Sequence, residues 1–529
     1  MNKETVTLLD YGAGNVRSVI NALQKLGYQV KVVTCAEDIL CAEKLVCPGV
    51  GEFGHMMTAL NEQGYTDPLK AYLRSNRPYL GICLGLQVLF DGSEEAPGLP
   101  GLGIIPGQVK RFRTQRSVPQ IGWNGIRAQQ PSRLFQGLAG QEKFYFVHSY
   151  HVVPEDDSVV LTTTDYEGPY VSSIQQGNVI ATQFHPEKSG QIGLTLFGNF
   201  LDTEAPRIPE LPALTDQTVL AKRVIACLDV RANDTGDLVV TKGDQYDVRE
   251  AGEVRNLGQP VDLARRYYQE GADEITFLNI TGFRDFPLQD MPMLEVLRQT
   301  SENVFVPLTI GGGIRAFTDA NGRTYSALDV AHEYFRSGAD KISIGSDAVT
   351  IVEAYRKAGK KTGTSSIEQI SKMYGSQAVV ISVDPRRVYV PGADAAGHQC
   401  ITTDVTGPNG ETVCWYQCTI KGGREGRDLD AITLVQACEE LGAGEILLNC
   451  IDKDGTNSGF DLELVRAICD AVTIPVIASS GAGCVEHFAE VFQATDVEAG
   501  LAAGIFHRRE VPIEAVKSHL VAQHIEVRA

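Results

Sequence analysis

The sequence predicts an α/β protein of two modules in tandem, the second of them a (β/α)8 barrel built of two half-barrel repeats. Three observations predict it. A strand-like run, PYLGICLGLQVLF over 78–90, turns through glycines directly into helix-like sequence. After residue 221, eight short β-branched runs alternate with helix-length segments. Those runs also repeat: ACLDV resembles VISVD, GADEITFLNI resembles GAGEILLNCI, and VPLTIGGGI resembles IPVIASSGAG, the second copy roughly 155–170 residues after the first.

A chain of 529 residues has room for two to four domains. The net charge of −19, with a pI near 5.0, argues against a general binder of nucleic acid or of acidic membranes, so an anionic ligand has to be held locally by loops. No apolar run approaches the roughly 18 residues of a membrane span. The twelve cysteines show no paired short spacing, which suits a reducing compartment. MNKETVTLLDYG passes straight into strand-like sequence, so the expected location is cytoplasmic; a plastid protein whose transit peptide had been removed would read the same. His398, Cys400, Cys414 and Cys418 fall within 21 residues, but the spacing is irregular for zinc and TVCWYQCTI reads as a strand. Neither a metal nor a cofactor is expected.

In the first module, TVTLLDYGAGNVRSVINALQKLGYQVKVVT reads strand, glycine-rich turn, helix, strand. Gly12-Ala13-Gly14 resembles a dinucleotide loop, but Arg17 occupies the place of the third glycine, which excludes nucleotide binding there. KLVCPGVGEFG is a strand ending in a turn, Gly49-Val50-Gly51, whose backbone N–H groups can face a developing oxyanion. Cys83 occupies a nucleophile elbow, with Gly81 and Gly85 providing room and the following helix N-terminus favouring thiolate. VIATQFHPEKSG sets His185 and Glu187 two apart, a base and the carboxylate that orients it. His148 and His151, among alternating aromatics, read as strand-face residues, one of them near the site.

TEAPRIPELPALTDQTVL carries three prolines and three acidic residues and reads as a linker, dividing the chain into 1–203, 204–220 and 221–529. The barrel strands are expected at 224–230, 274–280, 306–312, 341–346, 378–384, 445–452, 474–480 and 497–504. Equivalent halves place Asp229 after the first strand and Asp384 after the fifth, facing each other across the mouth as acid and base candidates. The turn with Gly312 and Gly313 stands opposite the turn with Gly481 and Gly483, and Gly345-Ser346 opposite Ala503-Gly504. Paired turns of this kind suit a substrate with a phosphate at each end. Lys242 lies in a long polar loop suited to closing as a lid, and Asp454-Gly455 in a ligand loop whose glycine is out of place for calcium. Arg223, Glu274, Lys341 and Glu445 begin the first, second, fourth and sixth strands, two cations and two anions on the barrel floor.

PGVG, GICLGLQ and FHPEKS resemble a class I, triad-type glutamine amidotransferase, with its mixed sheet flanked by helices. The resemblance implies that Cys83 forms a glutamyl thioester, His185 moves protons, Glu187 orients His185, the Leu84 amide completes the oxyanion hole with the 49–51 turn, and Gln87 contacts the glutamine. ACLDV, GGGI, GADKISI, AVVISVD, GAGEILLNCIDKDGT and IASSGAG are similar to the cyclase barrel of the imidazole glycerol phosphate synthase family. That similarity implies histidine biosynthesis. Ammonia from glutamine reacts with phosphoribulosyl-formimino-aminoimidazole-carboxamide ribotide, giving imidazole glycerol phosphate, aminoimidazole carboxamide ribotide and glutamate. It also implies that Asp229 and Asp384 form the catalytic pair and that Arg223, Glu274, Lys341 and Glu445 gate ammonia. The expected partners are glutamine and a bisphosphorylated ribotide, with no nucleic acid or membrane, an intramolecular domain interface and a monomeric chain. Asn279 departs from the aspartate many barrels of the family carry, and segments near 316–328, 353–376 and 390–415 exceed the minimal fold. A phosphoribosyl isomerase-like barrel with a regulatory glutaminase-like domain is the alternative; such an isomerase has no use for a glutaminase.

Overall fold

The computed structural model describes residues 4–203, 218–233, 237–241, 249–250, 253–254, 256–280, 288, 291–319, 321–393 and 397–528. Residues 204–217 of the expected linker, and Lys242 of the expected lid loop, lie outside the described residues.

The first module is a mixed sheet. Gln29–Val32, Thr5–Leu8, Leu45–Gly49, Tyr79–Cys83 and Val179–Thr182 run parallel in that order, and Pro169–Gln176, Tyr150–Pro154 and Gly107–Arg111 extend the sheet antiparallel. The two central strands, LVCPG and YLGIC, are buried at every position, as continuous apolar runs covered on both faces require. The turns that carry chemistry therefore leave the C-terminal ends of the most rigid strands.

The second module is a closed barrel of eight parallel strands: Arg223–Ala232, Glu274–Asn279, Leu308–Gly311, Lys341–Ile344, Val379–Val383, Glu445–Asn449, Val476–Ser479 and Ala499–Ala502. The last pairs back onto the first, with Val224 opposite Gly500. One expectation needs correcting. The first strand runs on to Ala232 and pairs antiparallel with Leu238–Thr241, so Asp229 lies within a strand, between Leu278 and Thr241, rather than after it. The alternation of VRA against LVVT continues the ladder beyond the barrel rim. The long segments also form structure: a hairpin pairs Phe317–Thr318 with Thr324–Tyr325, the end of helix Ser346–Ala358 and the whole of helix Ser366–Tyr374 lie in the second, and Pro385–Val390, Cys400–Thr402, Val413–Ile420 and Glu425–Asp430 form a four-stranded sheet over the mouth's edge.

The modules meet at the N-terminal ends of the barrel strands. Asn15 donates to Asp340 Oδ1 at 2.8 Å and to the Gly338 carbonyl at 2.9 Å, and Lys188 Nζ lies 2.6 Å from Asp340 Oδ2. The Trp123 indole donates to the Asp273 carbonyl at 3.1 Å. Asp340 and Asp273 immediately precede the fourth and second strands, so the first module covers the barrel floor. The linker's last residues are docked rather than free: Thr218 is buried and donates through its N–H to Asp165 at 3.0 Å.

Candidate active sites

Cys83 ends its strand with φ 53° and ψ −102°, a left-handed conformation that a β-carbon resists and that surrounding packing must hold. The packing is tight. A Cβ on Gly81 would stand 2.4 Å from the Gly85 carbonyl oxygen, and one on Gly85 would stand 2.1 Å from that of Cys47. The helix after the elbow is only Leu84–Gln87, a single turn, so the extended helix expected from the sequence is absent and its dipole with it. The cation that faces Cys83 is His185, whose imidazole is raised by the charges of Glu187 and Cys83.

His185 Nδ1 lies 2.7 Å from Glu187 Oε1, and both side chains are buried. Burial pulls the imidazole down, but the charges of Glu187 and Cys83 outweigh it and lift the ring to about 10. Gln183 Nε2 donates to Cys83 Sγ at 3.4 Å, and Gln183 Oε1 accepts from Gln87 Nε2 at 3.1 Å. Gln87 donates also to the Tyr150 carbonyl, so in this state it is tied within the protein. Sequence reasoning missed Gln183, although it stands two before His185 on the same face of an extended run. It also missed Glu95, a carboxyl that accepts the Phe53 N–H at 2.9 Å and is pushed up to about 7, chiefly by burial. His148 is pushed down to about 3 by burial, with Nδ1 2.7 Å from the Tyr150 carbonyl, and its charge would oppose that of His185. It is a strand-face residue beside the site, while His151 stacks on Phe112.

Gly49 pairs directly opposite Cys83, and a Cβ there would stand 2.5 Å from Leu84 Cβ and 2.6 Å from the Gly85 nitrogen. This contact brings the 49–51 turn against the elbow. Val50 presents its carbonyl to the Tyr11 hydroxyl at 2.5 Å, and Gly51 has φ +142° with the Met373 carbonyl of the barrel beside it.

On the barrel floor the four expected charges form a closed ring. Arg223 bonds Glu274 at 3.0 Å and Glu445 at 2.5 Å; Lys341 bonds Glu274 at 2.7 Å and Glu445 at 2.6 Å. All four are buried, and Thr309 adds a bond to Glu274 at 2.6 Å. Burial disfavours the Glu445 charge, yet Arg223 and Lys341 together hold its carboxyl below the ordinary range. Between this ring and the elbow lies a small cavity of about 20 Å³, lined by Cys83, His185, Val50 and Tyr145 on one side and by Lys341 and Gln377 on the other.

At the mouth, burial pushes the Asp384 carboxyl up; a bond from Asn449 Nδ2 at 2.9 Å opposes this, and the charge of Asp454 adds to it. Asp454 acts likewise on Cys227, next but one to Asp229, so its charge reaches both halves. Helices Ser346–Ala358 and Gly504–His507 both begin without a side-chain cap, at Gly345 and Ala503, which leaves their first N–H groups available at equivalent places. The glycine turns are less alike than their sequences. Gly313 has φ +77° and open space around a Cβ, whereas a Cβ on Gly312 would stand 2.1 Å from the Asn279 carbonyl oxygen, one on Gly481 2.2 Å from that of Gly459, and one on Gly483 2.5 Å from that of Asn457. Close packing accounts for three of these glycines. Gly455, with φ +69°, turns the loop that carries Asp454.

Among the described residues, no group of His, Cys, Asp and Glu is arranged to hold a metal, and no helix is long and apolar enough to cross a membrane. Cys414 and Cys418 are buried in the strand Val413–Ile420.

Fold and sites together define a glutamine amidotransferase of the elbow-cysteine class seated on the floor of a (β/α)8 barrel. Residues 7–202 match the family described as glutamine amidotransferase class-I, and residues 223–512 the family described as histidine biosynthesis protein. The chain is 60% identical over 530 residues to the chloroplastic imidazole glycerol phosphate synthase hisHF of Arabidopsis thaliana, covering 99% of this chain and 89% of that one. It is 54% identical over 545 residues to the hisHF of Emericella nidulans, covering 99% of each. The HisF subunit of Methanobrevibacter smithii, 42% identical over 311 residues, aligns along its whole length with 59% of this chain. The chain belongs to the imidazole glycerol phosphate synthase hisHF family, which joins amidotransferase and cyclase in one polypeptide.

Proposed function

We propose that the chain hydrolyses glutamine at Cys83 and passes the ammonia, through the barrel floor, to a bisphosphorylated ribotide at the barrel mouth. The Cys83 thiolate attacks the carboxamide carbon; the 49–51 turn and the Leu84 amide hold the oxyanion; His185 gives its proton to the departing ammonia and then takes one from the water that releases glutamate. Gln87 turns from Tyr150 and Gln183 to the incoming glutamine. Ammonium has no lone pair, so the nitrogen has to travel unprotonated. The cavity touching both Cys83 and Lys341 is the single observation that carries this reading. The Arg223–Glu274–Lys341–Glu445 ring is closed in this state and opens for transfer. The phosphates rest at Gly312, Gly313, Gly345 and Ser346 on one side and at Asp454, Gly455, Gly481, Gly483, Ala503 and Gly504 on the other. Asp229 and Asp384 exchange protons with the ribotide as it ring-closes to imidazole glycerol phosphate and releases aminoimidazole carboxamide ribotide.

The modules are 1–203 and 221–529, joined by 204–220, and the chain works as a monomer because both sites and their interface lie in one polypeptide. Twelve unpaired cysteines support a reducing, cytoplasmic setting. Following glutamate release with and without the ribotide tests the coupling. Ribotide-stimulated hydrolysis, with one glutamate per imidazole product, is the expected result; equal hydrolysis in both arms contradicts it.

A further inference from the structure

Arg387 stands three residues after Asp384 in the strand Pro385–Val390, paired opposite Tyr416. Its backbone N–H donates to Asp452 Oδ2 at 2.7 Å. Its guanidinium, with the side chain only 6% exposed, bonds Asp461 Oδ2 at 2.8 Å, the Tyr416 hydroxyl at 2.7 Å and Thr403 Oγ1 at 3.0 Å, and lies 3.1 Å from Glu463. Asp461 in turn caps helix Leu462–Ala471 by accepting the Leu464 N–H at 3.1 Å. One residue thus holds both ends of the loop 452–461, the first through its backbone and the last through its side chain.

That loop lies against the glycine turn at 481–483. The Gly459 N–H donates to the Gly481 carbonyl at 2.8 Å, and a Cβ on Gly483 would meet the Asn457 carbonyl oxygen at 2.5 Å. It also carries Asp454, whose charge acts on Asp384. Arg387 is anchored from outside the barrel as well, because Thr403 and Tyr416 belong to the excursion that forms the extra four-stranded sheet. A buried guanidinium bound on several sides has few alternative positions, and a planar fork transmits that constraint to each carboxylate it holds.

We propose that Arg387 is a positioning residue of the cyclase: it clamps the loop 452–461 at both ends, so that Asp454, Gly455 and the 481–483 turn are held ready for one phosphate of the substrate. The extra sheet is the brace of that clamp. The clamp rests on the assignment of this loop to phosphate binding, and it predicts effects on the loop's order that do not.

Ammonium-driven cyclisation in the full chain, with the ribotide varied, isolates the barrel from the amidotransferase. Asp452 is exposed, so its variants should fold. Asp452→Ala removes the acceptor at one end of the loop and should raise the KM for the ribotide roughly tenfold, the size of one charge-assisted hydrogen bond, with kcat changed less than twofold. Asp452→Asn keeps an acceptor oxygen and should restore KM to within about twofold of the parent. A purely structural bond would shift the melting temperature and leave KM alone. Amide exchange across 453–459 reads the clamp without any substrate and should quicken in Asp452→Ala and in Arg387→Met. Unchanged KM in Asp452→Ala, whatever the exchange, or an Asp452→Asn variant as impaired as Asp452→Ala, overturns the proposal. Faster exchange with no ammonium-driven turnover in the parent protein would keep the clamp and reject the assignment of the loop.

Discussion

The Nδ1 atom of His185 stands 2.7 Å from Oε1 of Glu187, with both side chains buried beside the Cys83 elbow. A histidine held near 10 by this carboxylate and by Cys83, against the pull of burial, ties protonation to folding. Its folded value exceeds its unfolded value of about 6.5, so the stabilisation is complete below about 6.5 and is lost as pH rises through about 10. Urea midpoints measured from pH 6 to pH 10 should fall for the parent protein across that window and stay nearly level for Glu187→Gln. The same variant should lose about 100-fold in glutaminase turnover, as a base without its orienting carboxylate does.

Cys83→Ala should abolish glutamine-driven synthesis and leave ammonium-driven synthesis within about twofold, because only the source of ammonia is removed. Parallel assays with the two nitrogen donors decide it, and equal loss of both would refute the division of labour.

Asp229→Asn should depress both routes by about 10²–10⁴-fold, the usual contribution of a positioned acid or base. Initial rates with saturating ammonium provide the measurement. Turnover preserved with ammonium would remove Asp229 from the chemistry.

A Cβ on Gly49 would stand 2.5 Å from Leu84 Cβ and 2.6 Å from a backbone nitrogen, neither of which is the free end of a flexible side chain. Gly49→Ala should cost about 1–3 kcal/mol of stability through overpacking and displace the turn from the elbow. Glutaminase activity should drop while ammonium-driven turnover persists, as the same pair of assays together with a denaturation curve would show.

The buried floor ring balances two cations against two carboxylates. Lys341→Met leaves one buried carboxylate uncompensated and should destabilise the protein by about 3–5 kcal/mol, whereas the double change Lys341→Met with Glu445→Gln restores neutrality and should recover most of that loss. Chemical denaturation of the single and double variants measures it. Glutamate formed per imidazole product should exceed one in both, as ammonia escapes around an altered gate.

Much of the fold is legible in the sequence. The eight barrel strands appear where β-branched runs between glycine-rich turns place them, and Cys83, His185 and Glu187 come together as their local settings imply. Local periodicity and short spacing carry that information, because a strand buried on both faces and a turn tight enough to need glycine leave marks within a few residues of themselves.

What the sequence determined by itself is the pair of folds, the pairing of His185 with Glu187 and the charges at the starts of four strands. Only the tertiary structure decided that those charges close into one ring, that a cavity joins the ring to Cys83, that Gln183 contacts the thiol, that the elbow helix stops after one turn, and that Arg387 grips both ends of a loop 65 to 74 positions away. The physical reason is distance along the chain. Arg223 and Glu445 are 222 residues apart and Cys83 and Gln183 are 100 apart, so nothing in the neighbourhood of either residue names its partner; the barrel's closure and the docking of its floor select it.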